Sequence, residues 1–179
     1  MNYQPKQAGF GLLEVLITLV LTAIGILGMA AMQTKSIQYT QQSVNRSTAA
    51  ALASDLMETL RGNRDALYKA NATLKTDSPY LKPAGEDIPA ADEFCTALDN
   101  DCPLSQLQAW KDRAKQQLPG VTDALIKSEY HICISKAGQG CSEDGSAIEI
   151  KIAWVGRAEE CSLDDETPNI CSYILRAEI

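Results

Sequence analysis

From Phe10 to Met32 the chain reads FGLLEVLITLVLTAIGILGMAAM, 23 positions of which one, Glu14, is charged. At 1.5 Å per residue such a helix measures about 34 Å, enough to cross a hydrocarbon core of about 30 Å. Helical patterning continues past it. In SIQYTQQSVNRSTAAALASDLMETLRG the apolar residues Ile37, Val44, Ala51, Leu52, Leu56 and Leu60 recur at helical spacings, and Gly62 suits a C-cap. The pattern predicts one helix over about residues 10–62, with a lipid-facing first half and a second half that covers a core.

Residues 63–102 hold Pro79, Pro83, Gly85 and Pro89 with few periodic apolar positions, which predicts an irregular loop with a short helical turn near 64–70. Pro103 then opens a second helix near 103–118, with Leu104, Leu107, Trp110 and Ala114 on one face, and Pro119-Gly120 ends it. Alternation predicts strands over 130–136, 147–155 and 173–179, with a fourth at Val121–Ile126. In them Tyr130, Ile132 and Ile134, then Ile148, Ile150, Ile152 and Trp154, then Tyr173, Leu175, Ala177 and Ile179 share apolar faces. The fold class is α+β: a long N-terminal helix packed on an antiparallel sheet of three to four strands.

Charge narrows the classes of function. With 16 Lys+Arg against 23 Asp+Glu the chain is acidic, and its longest basic cluster (Arg61, Arg64, Lys69) is sparse. Nucleic-acid binding draws its affinity from cations on phosphates, so no nucleic-acid partner is expected. Six cysteines, Cys95, Cys102, Cys133, Cys141, Cys161 and Cys171, form three near-neighbour pairs with six, seven and nine residues between their members. With no C-x-x-C and one His, the spacing does not suit tetrahedral zinc, and disulfides of an oxidising compartment fit better. Six cysteines allow fifteen connectivities. The local set is favoured because each short loop lies between predicted elements; rearranged or free thiols are the alternative.

Glu14 is the anomaly of the apolar segment. A carboxylate inside a bilayer costs about 2.5–3.5 kcal/mol on insertion scales and normally has a partner. No Lys or Arg lies within a helical turn of it. The partner must then come from a chain terminus or another subunit, and a cut between Gly9 and Phe10 would create such a terminus. A secretory signal peptide is the rival explanation, but its apolar core is shorter, and here helix-forming sequence continues without a break.

Gly9-Phe10-Gly11-Leu12-Leu13-Glu14, after a short leader containing Lys6 and before an unbroken apolar helix, resembles a type IV prepilin. The resemblance implies a leader (1–9), an assembly and transmembrane helix (10–36) and a periplasmic globular domain (37–179). It implies that a prepilin peptidase and N-methyltransferase cuts after Gly9 and methylates Phe10, and that Glu14 acts in subunit assembly. The stretch Ile24-Gly25-Ile26-Leu27-Gly28 further resembles PilV-type minor pilins. That implies other minor pilins and the major pilin as partners, the inner membrane before assembly and the pilus after it. It also implies a share in priming assembly near the fibre tip, and in adhesion and twitching motility. Minor pseudopilins of type II secretion have similar helices, and a tip adhesin is a third reading.

No catalytic constellation, cofactor motif or metal-binding spacing stands out. His131 is the only histidine, and no G-x-S-x-G elbow is present. The acidic positions Asp99, Asp101, Glu143, Asp144, Asp164, Asp165 and Glu166 lack the calcium-loop spacing and suit solvated loops. Trp110 and Trp154 occupy apolar positions and are expected in the core. The chain is not expected to be an enzyme.

Overall fold

The computed structural model describes residues 11–71, 73–88, 102–136, 140–157, 161 and 169–178. Gly9, Phe10, Cys95 and the acidic residues Asp99, Asp101, Asp164, Asp165 and Glu166 lie outside them. The helices are α1 (Leu12–Gly62), α2 (Arg64–Leu67), α3 (Pro103–Gln117) and α4 (Asp123–Glu129). The strands are β1 (His131–Lys136), β2 (Gly140–Cys141), β3 (Ala147–Val155) and β4 (Ile170–Ala177). The chain forms two compact units, residues 1–41 and 42–179.

Among the described residues the first unit consists of α1, whose large apolar side chains are exposed. The helix contains no proline, so its backbone ladder is uninterrupted. The hydroxyls among its apolar residues turn inward: Thr18 Oγ1 donates to Val15 O at 2.8 Å, Thr22 to Thr18 O, and Thr34 to Ala30 O at 3.1 Å. Each satisfies a polar group within the helix, as a hydrocarbon setting requires.

The second unit is built on the remainder of α1. Its buried face is Ala49, Leu52, Ala53, Leu56, Met57 and Leu60. The expected stripe is corrected here: Ile37 and Val44 are exposed, at 59% and 56%, and Ala51 also faces outward. Stepping from Ala49 by three and four residues follows one face, whereas steps of seven drift about 20° per heptad around a straight helix. Trp110 of α3 locks the two helices together, its Nε1 donating to Leu52 O at 2.9 Å and its ring meeting Tyr130 edge-on at 6.0 Å. Tyr130 in turn donates to Ala153 O at 2.8 Å on β3. Burial pushes its hydroxyl pKa well above the ordinary range.

The sheet order is β2-β1-β3-β4, antiparallel throughout. Its apolar face is aligned by register, Ile132 with Ile150 and Leu175, and Ile134 with Ile148 and Ala177. The four isoleucines join α1, α3 and α4 in one buried cluster that also holds Trp154, with Leu175 and Ala177 packed against it. The fourth strand is the short β2, not the segment around 121–126. From Asp123 that segment runs into α4, and Thr122 caps the helix N-terminus by accepting from Leu125 N at 3.2 Å. Adjacent Leu125 and Ile126 are both buried. A helix can place successive residues toward one core; a strand would have put them on opposite faces. β4 also begins three residues earlier than the alternation predicts, since pairing with β3 extends to Val155↔Ile170.

Residues 73–88 form no regular element beyond single bridges, at Tyr68↔Leu74 and Lys82↔Ile132. Lys82 is 2% exposed, yet its ammonium is satisfied by Tyr130 O at 2.7 Å, Pro83 O at 3.2 Å and Lys127 O at 3.3 Å. Two of these carbonyls belong to the end of α4, where a cation complements the helix dipole. Desolvation lowers the Lys82 pKa, and Asp87 and Glu86 offset part of that.

Candidate functional site

Glu14 lies in the first turn of α1, its amide donating to Gly11 O at 2.9 Å. Among the described residues none forms an ion pair with its carboxylate. The nearest downstream cation, Lys35, is 21 residues on, about 32 Å along the helix axis. Around Glu14 the large side chains are bare: Leu13 is 72% exposed, Leu16 60% and Leu19 61%. An apolar surface of that length suits a bilayer or packing against other apolar helices. Gly25 and Gly28 suit the second, since a Cβ built at either meets nothing within 4 Å. Their bare backbone is open to close helix approach.

The described cysteines are all bonded. Cys133 pairs with Cys141 and Cys161 with Cys171, and Cys102 is also in a disulfide. Cys133–Cys141 ties β1 to β2, and Cys161–Cys171 holds the chain entering β4. Gly156 is required beside the latter, because a Cβ there would collide with Cys171 Sγ.

The polar face of the sheet carries a cluster that sequence reading missed. Glu149, 4% exposed on β3, sits directly between Cys133 of β1 and Arg176 of β4. Its Oε2 accepts from Arg176 Nε at 3.0 Å, from Arg176 Nη2 and from Ser135 Oγ at 3.1 Å, and its Oε1 faces His131 Nε2 at 3.0 Å. Burial alone would raise this carboxyl. Hydrogen bonds from Arg176, His131 and Ser135 outweigh it and hold the group below its ordinary value of 4.5, so it is charged at neutral pH. His131 is therefore a partnered histidine. The signal available beforehand was a lone Glu in AIEIKIAWV, too weak to pair with residues 18 and 27 positions away. The exposed Asp144 salt-bridges to Lys136 at 2.9 Å and hydrogen-bonds to Ser142, with its pKa lowered to about 2. This carboxylate is tied to the chain's own groups.

Known families agree with the α1 geometry. The model of the prokaryotic N-terminal methylation motif matches residues 4–30, and the model of the type IV pilin Tt1218 family matches residues 31–110. The two adjoin, one ending at Ala30 and the other beginning at Ala31. No curated protein and no solved structure matches the chain. A bare apolar helix whose carboxylate has no ion-pair partner among the described residues, an antiparallel sheet beneath its continuation, and two adjoining family matches lead to one conclusion: the chain belongs to the type IV pilin-like proteins and has a prepilin amino terminus.

Proposed function

We propose that the protein is a minor pilin of the PilV type, which enters the inner membrane through α1, is cut after Gly9, methylated on Phe10, and joins a pilus as part of a priming complex near the tip. The observation that carries the pilin part of this reading is Glu14, a carboxylate with no described partner on a bare apolar helix. Cleavage between Gly9 and Phe10 supplies the missing positive charge as the new α-amino group of a neighbouring subunit. In a low-dielectric fibre core that attraction is strong enough to set register. The minor-pilin part rests on Ile24-Gly25-Ile26-Leu27-Gly28, which resembles the PilV helix. In this arrangement residues 37–179 occupy the periplasm before assembly and the fibre surface after it. The protein's contribution is structural, with prepilin peptidase, other minor pilins and the major pilin as its partners.

A minor pseudopilin of type II secretion would use the same amino terminus, so the two machines are separated by phenotype. Deleting the gene is expected to remove most surface pili, counted by electron microscopy and by immunoblot of sheared fibres, while protein secretion across the outer membrane continues. Restoring the gene in trans should restore fibres. Intact pili with failed secretion would assign the protein to the secretion machine instead.

A further inference from the structure

β1 is paired with β3 from His131 to Ser135, and its other edge is covered piecemeal. β2 takes Ser135 and Lys136, and Ser142 N donates to Ile134 O at 2.8 Å. Beyond that the cover is a single residue. Lys82 O accepts from Ile132 N and Lys82 N donates to Ile132 O, both at 2.9 Å, in a stretch that forms no strand of its own. A groove of about 330 Å³ between the two covers, lined by Leu81, Pro83, Ile132, Ile134 and Ser142, marks the gap. A bare strand edge is a template for a strand of another chain, so Lys82 closes the point at which β1 would be open to one.

We propose that residues 80–88 form a strap over the outer edge of β1, and that the buried Lys82 ammonium is its latch. Two backbone hydrogen bonds hold an irregular segment poorly, because the net gain of each is small against the entropy of fixing the chain. Hydrogen bonds from a charged donor are about twice as strong. The ammonium makes three, to Tyr130 O at 2.7 Å, Pro83 O at 3.2 Å and Lys127 O at 3.3 Å. Two of these acceptors lie at the end of α4, where carbonyls lack helical partners and a cation meets the negative end of the dipole. Burying a charge is costly unless it is hydrogen-bonded. Here the three carbonyls replace the water that the ammonium gives up.

The strap is anchored at both ends on α3. The buried Tyr80 donates to Gln106 Oε1 at 2.6 Å, and Gln108 Nε2 donates to the carbonyl of the buried Ile88 at 3.3 Å. Between these anchors Gly85 turns the chain at φ +89°, and its amide donates to Lys127 O at 2.7 Å. Lys127 also pairs with Asp87 at 2.6 Å, but both side chains are exposed and such a pair contributes little. Among the described residues the buried ammonium is therefore the strongest polar tie between the two anchors. It fastens the strap to β1 and α4 together. This inference does not rest on the pilin assignment.

Lys82→Met keeps the length of the side chain and removes the ammonium. Hydrogen exchange of the full chain in detergent, read by mass spectrometry of peptic fragments, compares the strap with the sheet. Fragments covering residues 80–88 and Ile132 are expected to exchange roughly 10–100-fold faster in Lys82→Met. Fragments from β3 and β4 should exchange as in the unmutated chain. Asp87→Asn, which breaks only the exposed pair with Lys127, should leave the strap as protected as before. With the edge bared, Lys82→Met should also associate more strongly than the unmutated chain in sedimentation at matched concentrations. Unchanged exchange in Lys82→Met would show that packing of the stem holds the segment and the ammonium does not. Faster exchange in every fragment would show that the strap is no separate element, and an open strap without added association would show that it guards no edge. Each of these results would overturn the proposal.

Discussion

Replacing Glu14 with alanine is expected to leave the protein cleaved and in the membrane, and to take it almost entirely out of the fibre. Two effects act in the same direction. The carboxylate costs about 2.5–3.5 kcal/mol in a bilayer, so its removal stabilises the membrane-bound subunit. Its loss also removes the attraction to a neighbouring α-amino group that favours the packed state. A shift of that size moves the partition between membrane and fibre by roughly two orders of magnitude. Immunoblots of sheared pili against washed membranes measure the ratio directly. Glu14→Gln, which keeps the shape and loses the charge, should behave like alanine. Normal amounts of either variant in fibres would show that Glu14 plays no part in assembly.

The second large effect is expected inside the exported unit. Trp110 is 2% exposed and touches three elements: it bonds to Leu52 O at 2.9 Å on α1, extends from α3, and stacks edge-on with Tyr130 ahead of β1. Trp110→Ala removes the ring and leaves a cavity between α1, α3 and Tyr130. Large-to-small changes of this kind cost about 3–5 kcal/mol. For a domain of this size the thermal midpoint should fall by roughly 10–20 °C. Circular dichroism of the full chain in detergent measures it, and Trp110→Phe should lose much less because most of the volume remains. A midpoint unchanged in Trp110→Ala would mean that α3 is not part of the cooperative core.

These two residues were also the easiest to read from sequence. Glu14 stands out because every neighbour is apolar, and Trp110 falls on the stripe Leu104, Leu107, Trp110, Ala114, which is buried as a unit. Pro103 marked the start of α3 because its fixed φ and missing N–H suit only a first turn. The buried face of α1 was harder. Ala49 and Ala53 are 0% exposed but weakly hydrophobic, so the larger Ile37 and Val44 dominate the apolar spacing. Those larger residues stay outside. The segment at 121–126 resembles a strand in sequence because a seven-residue helix gives hardly two turns of periodicity, and the cap on Thr122 is the stronger local signal.

The cluster around Glu149 was illegible for a different reason. Its members, His131, Ser135, Glu149 and Arg176, meet only through the registers of β1 with β3 and β3 with β4. A shift of one residue in either pairing would send each side chain to the other face. The same holds for Lys82, an exposed residue by composition and a buried one by its three carbonyl partners. Local pattern determines elements; these polar contacts depend on how the elements are paired.

The proposed function depends on maturation between Gly9 and Phe10 followed by incorporation into a pilus. The most direct measurement is the intact mass and amino-terminal sequence of the protein recovered from sheared surface fibres. The expected chain begins at Phe10, carries one methyl group on its α-amino nitrogen, and is present in the fibre fraction. A chain still bearing residues 1–9, or protein confined to membranes and absent from the fibres, would contradict it.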